Sequence, residues 1–235
     1  MSSLHRVGRA WKPSRRFDFP WTDMNPLLLQ DILERLCAAM FDHSEELTAL
    51  DRAIGDGDHG LNMKRGFENV RLQIVSTAQK PLGPALQDVG RTLVMKVGGA
   101  SGPLFGTLFT VLGKSLPEQP TLGDLAIASA ASIDALRRLG KSDAGQKTML
   151  DVLIPVQQAI AAAANEAPGH CTLAEALPRR ADAAAQATVP MKAIRGRASF
   201  LGERSIGHMD PGARSAALMV RAVCAAFTDL SLIHI

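Results

Sequence analysis

Asn25-Pro26-Leu27-Leu28-Leu29-Gln30-Asp31-Ile32 opens a run in which Leu28, Ile32, Leu36 and Met40 recur every four residues. That spacing lays one apolar stripe along a helix, because residues four apart stand one above another on the same face. A second start follows at Ser44, with Glu46 and Leu47 behind it, and runs to about Ile54. The helical period returns over 61–76, 83–97, 103–116, 122–139, 148–165, 173–193 and 213–227. Runs such as Ala159-Ile160-Ala161-Ala162-Ala163-Ala164 favour helix intrinsically. Alternating β-branched or aromatic segments are hard to find, and tyrosine is absent. The expected fold is all-α: about eight helices in an antiparallel up-and-down bundle or barrel, joined by short loops.

The chain is 235 residues, 46% hydrophobic and 21% charged, enough to bury a sizeable core. That composition excludes a disordered chain, a collagen and a coiled-coil rod. No apolar run reaches the roughly 18 residues a membrane helix needs. Cys37, Cys171 and Cys224 make an odd count with no C-x-x-C pair, so neither a disulfide framework nor a structural zinc is expected. A reducing cytoplasm suits that usage.

The net charge of +3 is unevenly placed. Residues 1–23 hold five cations (Arg6, Arg9, Lys12, Arg15, Arg16) against Asp18 and Asp23, and the rest of the chain balances at 21 of each sign. The body therefore has no nucleic-acid footprint. The same 23 residues hold Trp11 and Trp21, the two tryptophans of the chain. They read as a basic extension translated ahead of a native start at Met24, the alternative being a genuine basic arm. Residues 230–235 (Leu-Ser-Leu-Ile-His-Ile) read as the translation of a sequencing adapter. The domain proper is then 24–229.

Glycines and acids gather in four clusters between the helices. The first is Asp51-Arg52-Ala53-Ile54-Gly55-Asp56-Gly57-Asp58-His59-Gly60. Its three carboxylates repel one another, and Asp51 falls near a helix C-terminus, where the dipole disfavours negative charge. Divalent cations would resolve that conflict, and hard oxygen ligands suit Mg²⁺ or Ca²⁺. The calcium-loop template fails, since Gly60 and Phe67 would occupy ligand positions. The plainer reading is an Asp/Gly turn with Asp58 capping a helix.

The second cluster, Gly98-Gly99-Ala100-Ser101-Gly102-Pro103, leads into an apolar helix, with Ser101 placed to cap it. Exposed N–H groups at such a terminus attract anions. The third, Gly140-Lys141-Ser142-Asp143-Ala144-Gly145-Gln146-Lys147-Thr148-Met149, nearly matches a P-loop, but its Lys-Thr pair comes one residue late and no strand precedes it. Gly140 reads more simply as the residue after a helix end. The fourth spans 196–212, a long irregular segment carrying Arg197 and Arg204 and ending in Asp210-Pro211-Gly212. Loops of that length are commonly binding loops, and Asp210 is placed to cap the next helix.

Taken together, the clusters resemble the L, or ADP-binding, subunits of bacterial dihydroxyacetone kinase. The matching stretches are Leu47-Thr48-Ala49-Leu50-Asp51 through Asn62-Met63-Lys64-Arg65-Gly66-Phe67, residues 98–106, Lys147-Thr148-Met149-Leu150-Asp151, and residues 196–212. The resemblance implies an eight-helix barrel with a nucleotide site at one end. It implies two Mg²⁺ ions on Asp51, Asp56 and Asp58. For ADP, with ATP as its phosphorylated form, it implies His59, Gly60, Leu61 and Asn62, then Ala100 with Ser101, then Gly140, Thr148 and Met149, and finally Arg197 with Asp210, Pro211 and Gly212. It assigns no catalytic residue beyond the metal ligands.

In that family a separate K subunit holds dihydroxyacetone and a phosphohistidine M subunit recharges the bound ADP from phosphoenolpyruvate. The chain would then be a cytoplasmic phosphotransferase subunit of glycerol and dihydroxyacetone catabolism, inactive alone, with no membrane or nucleic-acid partner and homodimerisation left open. Two rival expectations are an ATP-dependent kinase subunit for dihydroxyacetone or a ketose such as erythrulose, and a non-catalytic ADP-sensing module. Departures from the family pattern fall at Gln146, Met209 and Arg214; the last puts a cation in a first helical turn, where the dipole disfavours it unless phosphate is near.

Overall fold

The computed structural model describes residues 24–166 and 170–233. The helices are α1 (Pro26–Asp42), α2 (Ser44–Ile54), α3 (His59–Arg71), α4 (Ile74–Ala78), α5 (Leu82–Lys96), α6 (Ser101–Ser115), α7 (Leu122–Gly140), α8 (Leu150–Glu166), α9 (His170–Ala187) and α10 (Pro211–Ile233), with a 3-10 helix at Arg197–Ser205. The described residues contain no strand. All-α is what the periodicity requires, but about eight helices was an undercount. The basic extension at 1–23 and residues 234–235 lie outside the described residues, and α10 runs through Ile233.

Three helix starts are capped as their sequences direct. Asn25 accepts the Leu28 N–H at 2.9 Å. Thr121 and Asp124 form a reciprocal capping box on α7. The Asp210 carboxylate accepts the Ala213 N–H at 2.7 Å and so caps α10.

The apolar stripes meet in one core. Leu33, Met40, Met63, Phe67, Leu93, Phe105, Leu136, Leu150 and Ala217 are essentially inaccessible to solvent. Neighbour contacts run α1–α3–α5–α6–α7–α8–α9–α10 and back to α1, closing a ring, while α2 and the 3-10 helix pack on each other beside it. An apolar cavity of about 200 Å³ lies between Leu33, Phe109, Ile133, Val156, Leu177 and Met219.

Several boundaries differ from the sequence expectation. The stretch 61–76 is two helices, α3 and α4, broken at the exposed Leu72. Phe67, Val70, Ile74 and Ala78 stay buried at helical spacing across the break, so periodicity hides it. Helix α8 begins at Leu150 because Lys147 adopts a left-handed conformation (φ 62°) and Asp151 accepts the Thr148 N–H at 2.7 Å. Helix α9 stops at Ala187, ahead of Pro190, which cannot continue a helical ladder. Gly140 is the last residue of α7, and the left-handed C-cap is Lys141 (φ 48°). The segment expected to be irregular carries 3-10 turns within Arg197–Ser205, on either side of a kink at Gly202 (φ 58°).

Candidate functional site

Helix α2 ends in the first cluster, and the chain turns at Gly57 (φ 76°) before α3 begins. This brings one carboxylate oxygen each from Asp51, Asp56 and Asp58 within 4.8 Å of one another. Asp51 is 8% exposed and accepts the N–H groups of Asp58 (2.9 Å) and His59 (3.1 Å). Those two bonds, both to Oδ2, hold the loop closed. Asp58 occupies the position before α3, but its side chain caps nothing. The plainer reading of Asp58 as a cap is therefore overturned, and its carboxylate stays available. Asp56 meets the Arg197 guanidinium at 3.1 Å. Three hard oxygen donors with one partial counter-charge among them fit a divalent cation by donor chemistry.

The carboxylates form one wall of a cleft of about 250 Å³. Gly98, Gly99, Ala100 and Ser101 form a second wall, Gly140, Lys147, Thr148 and Met149 a third, and Arg197 with Asp210, Pro211 and Gly212 a fourth. Four clusters spread over some 160 residues of sequence thus share one cavity. The N-terminus of α6 opens into it without a side-chain cap. Ser101 does not cap, contrary to expectation; its Oγ lies 2.9 Å from His59 Nδ1. The unsatisfied N–H groups of that first turn suit an anion.

Not every residue implied by the resemblance lines the cleft. Gly60 faces α2: a Cβ there would sit 2.0 Å from the Ser44 carbonyl oxygen, so it permits close packing of α3 on α2. Leu61 is 62% exposed and points away from the cleft. Asn62 is buried behind the glycine turn, accepts from Arg65 Nη2 at 2.8 Å, and would meet a Cβ at Gly98 at 2.6 Å. It buttresses that turn from outside the cavity. Arg214 does not face phosphate either: it pairs with Glu46 (2.6 Å) and Asp182 (3.2 Å). Those acids, on α2 and α9, explain a cation in the first turn of α10.

Sequence reading missed three residues that hold the walls together. Lys147 is 1% exposed, and its ammonium donates to the carbonyls of Thr188 (2.7 Å), Met191 (3.2 Å), Val189 (3.4 Å) and His208. Burial pushes its pKa down, while Asp210 and Asp151 act to raise it. Asp151 receives the N–H groups of Gly145 and Thr148, closing the third cluster into a loop. Ser215 is fully buried in α10, 2.8 Å from His59 Nε2. The only sequence signal among these was the late Lys-Thr pair, which points inward to carbonyls instead of to a phosphate.

Two further groups have shifted acidity. Burial lowers the His59 pKa, although Asp51 and Asp58 pull it up. Burial pushes the Asp210 carboxyl up to about 7, against the Ala213 N–H that favours its charged form. Both shifts belong to a polar pocket set into an apolar ring.

Fold and site together define an all-α class of protein, a helical ring with a carboxylate-lined polar cleft among its loops. Within that class the chain belongs to the DAK2 domain family, whose model matches residues 53–225. It is 44% identical over 188 residues to "PEP-dependent dihydroxyacetone kinase, ADP-binding subunit DhaL" of Escherichia coli (strain K12), covering 79% of this chain and 90% of that one. To the corresponding subunit of kinase 1 of Listeria innocua it is 40% identical, covering 77% and 87%. The human triokinase/FMN cyclase is 34% identical over 82% of this chain, which spans 34% of that protein. The fold matches the dihydroxyacetone kinase of C. freundii in its native form, with a TM-score of 0.67 at 23% identity, over 95% of this chain and 38% of that one. The same kinase solved with AMP-PNP and Mg²⁺ matches with a TM-score of 0.66.

Proposed function

We propose that this chain is the ADP-binding subunit of a phosphoenolpyruvate-dependent dihydroxyacetone kinase. The observation that carries the reading is the convergence of Asp51, Asp56 and Asp58 across one cleft from the uncapped N-terminus of α6. The relatives named for ADP binding, at 40–44% identity over most of their length, supply the nucleotide. Asp51, Asp56 and Asp58 would hold two Mg²⁺ ions, which supply charge neutralisation to the phosphoryl group in flight. The N–H groups around Ala100 and Ser101 orient the phosphates, and Arg197 closes over them beside Asp56. Thr148, Met149 and Gly140 form the wall for the adenosine, with Asp210-Pro211-Gly212 as its edge.

No nucleophile of this chain is needed, because phosphoryl transfer rests on positioning and electrostatics. The acceptor, dihydroxyacetone, sits on a K subunit and the donor is a phosphohistidine M subunit. A cytoplasmic setting agrees with Cys37 and Cys224, both buried, whose thiols burial pushes up to about 12. No helix among the described residues is long and apolar enough to cross a membrane.

Mg-ADP should raise the melting temperature, and EDTA should abolish the rise. At a hundredfold excess over Kd the added stability is about 2.7 kcal/mol. No shift with Mg-ADP would remove the nucleotide assignment. Relatives at 34% identity include a D-erythrulose kinase of Mycolicibacterium smegmatis, of which this chain spans 34%. Brisk turnover with a K subunit and free ATP, without any M subunit, would move the assignment to a direct ATP-dependent ketose kinase.

A further inference from the structure

His59 lies between two hydroxyls: Ser101 Oγ stands 2.9 Å from Nδ1 and Ser215 Oγ 2.8 Å from Nε2. A neutral imidazole carries a single N–H, so one ring nitrogen donates and the other accepts. The two hydroxyls must then take opposite roles toward it. If Nε2 carries the proton, Nδ1 accepts, and the Ser101 O–H is spent on the ring. If Nδ1 carries it, the Ser101 oxygen accepts and its own O–H is free to point into the cleft. Only the second arrangement gives an anion a donor. It requires that something donate to Nε2, and the fully buried Ser215 hydroxyl is placed to do so.

We infer that Ser215 is a positioning residue for the nucleotide phosphate: acting through His59, it orients the Ser101 hydroxyl as a donor into the cleft. In the complex the chain runs Ser215 O–H to Nε2, Nδ1–H to Ser101 Oγ, and Ser101 O–H to phosphate. Without the Ser215 hydroxyl nothing donates to Nε2, the proton is no longer held on Nδ1, and Ser101 can donate to Nδ1 instead. The inference rests on the nucleotide reading above. It adds a fully buried residue just behind the cleft wall, on the element that closes the helical ring.

The test is a double-substitution cycle read by calorimetric Mg-ADP titration of the full chain. Ser101→Ala and Ser215→Ala should each weaken binding roughly three- to tenfold, the range of one hydrogen bond. Their combination should be no weaker than Ser101→Ala alone, since one path is removed twice. Additive losses, or an unchanged Kd for Ser215→Ala, overturn the inference while wild-type binding keeps the nucleotide reading intact. Wild-type protein that fails to bind Mg-ADP removes both. A second readout needs no substitution at all. The ¹⁵N shifts of His59 in the wild-type Mg-ADP complex should report the proton on Nδ1, and a proton on Nε2 overturns the inference.

Discussion

The two polar halves of the cleft differ in how nearly complete they are by themselves. On one side Asp51, Asp56 and Asp58 crowd together with one ion pair, to an arginine that is itself largely exposed. On the other, Lys147 is surrounded by four carbonyls, Asp151 accepts two N–H groups, and Asp210 caps α10. The first half leaves charge uncompensated and needs a ligand. The second is closed on itself and acts as scaffold. Charge alone therefore does not mark function; unbalanced charge does.

Asp56→Asn should widen this contrast most. Activity with K and M subunits and phosphoenolpyruvate should fall by about three orders of magnitude, because a lost metal ligand leaves transition-state charge unneutralised. Ligand-free melting should not fall, since the change relieves carboxylate repulsion. A fall in stability matching the loss of activity would put Asp56 in the scaffold half instead.

Lys147→Met reverses the pattern. Removing the ammonium orphans buried carbonyls and leaves Asp210 and Asp151 without their cation, at about 3–5 kcal/mol in a urea melt. The residual folded protein should still bind Mg-ADP. A stable variant unable to bind nucleotide would make Lys147 a ligand residue.

Asp210→Asn tests where the scaffold is strained. The folded pKa of about 7 lies above the ordinary 3.8, so the contribution of Asp210 to stability is full below 3.8 and lost as pH rises through 7. The asparagine form avoids that loss and keeps an acceptor for the Ala213 N–H. It should match wild type at pH 4 and exceed it at pH 8, in the absence of nucleotide, by on the order of a few kcal/mol. A constant difference across that range would show that the carboxyl titrates normally.

The smallest effect belongs to Arg197→Ala. The exposed pair with Asp56 contributes roughly 0–1 kcal/mol, so ligand-free melting should barely move. Mg-ADP affinity should nonetheless drop by about tenfold, since a cation facing phosphate is a charge-assisted partner. Unchanged affinity would leave Arg197 as a surface ion pair.

Much of this contrast was legible in the chain itself. The incomplete half is local: Asp51, Asp56 and Asp58 fall within eight residues, and their mutual repulsion can be read from spacing. The scaffold half is not local. Lys147 looked like a displaced P-loop lysine because its four carbonyl partners lie 41–61 residues away. Gly60, Leu61 and Asn62 adjoin the acidic loop in sequence, yet helix geometry turns them in different directions, and none of them lines the cleft.

Local sequence carried the all-α class, the cap at Asp210 and the acidic loop, because periodicity, capping and charge repulsion act over a few residues, while the caps expected at Asp58 and Ser101 did not form. Tertiary structure alone decided the break at Leu72, the left-handed Lys141 and Lys147, the pairing of Arg214 with Glu46 and Asp182, and the contact of Ser215 with His59. Each depends on a partner brought near by closure of the helical ring. A buried polar atom must find a hydrogen-bond partner wherever the fold supplies one, and its own neighbours in sequence do not say where that is.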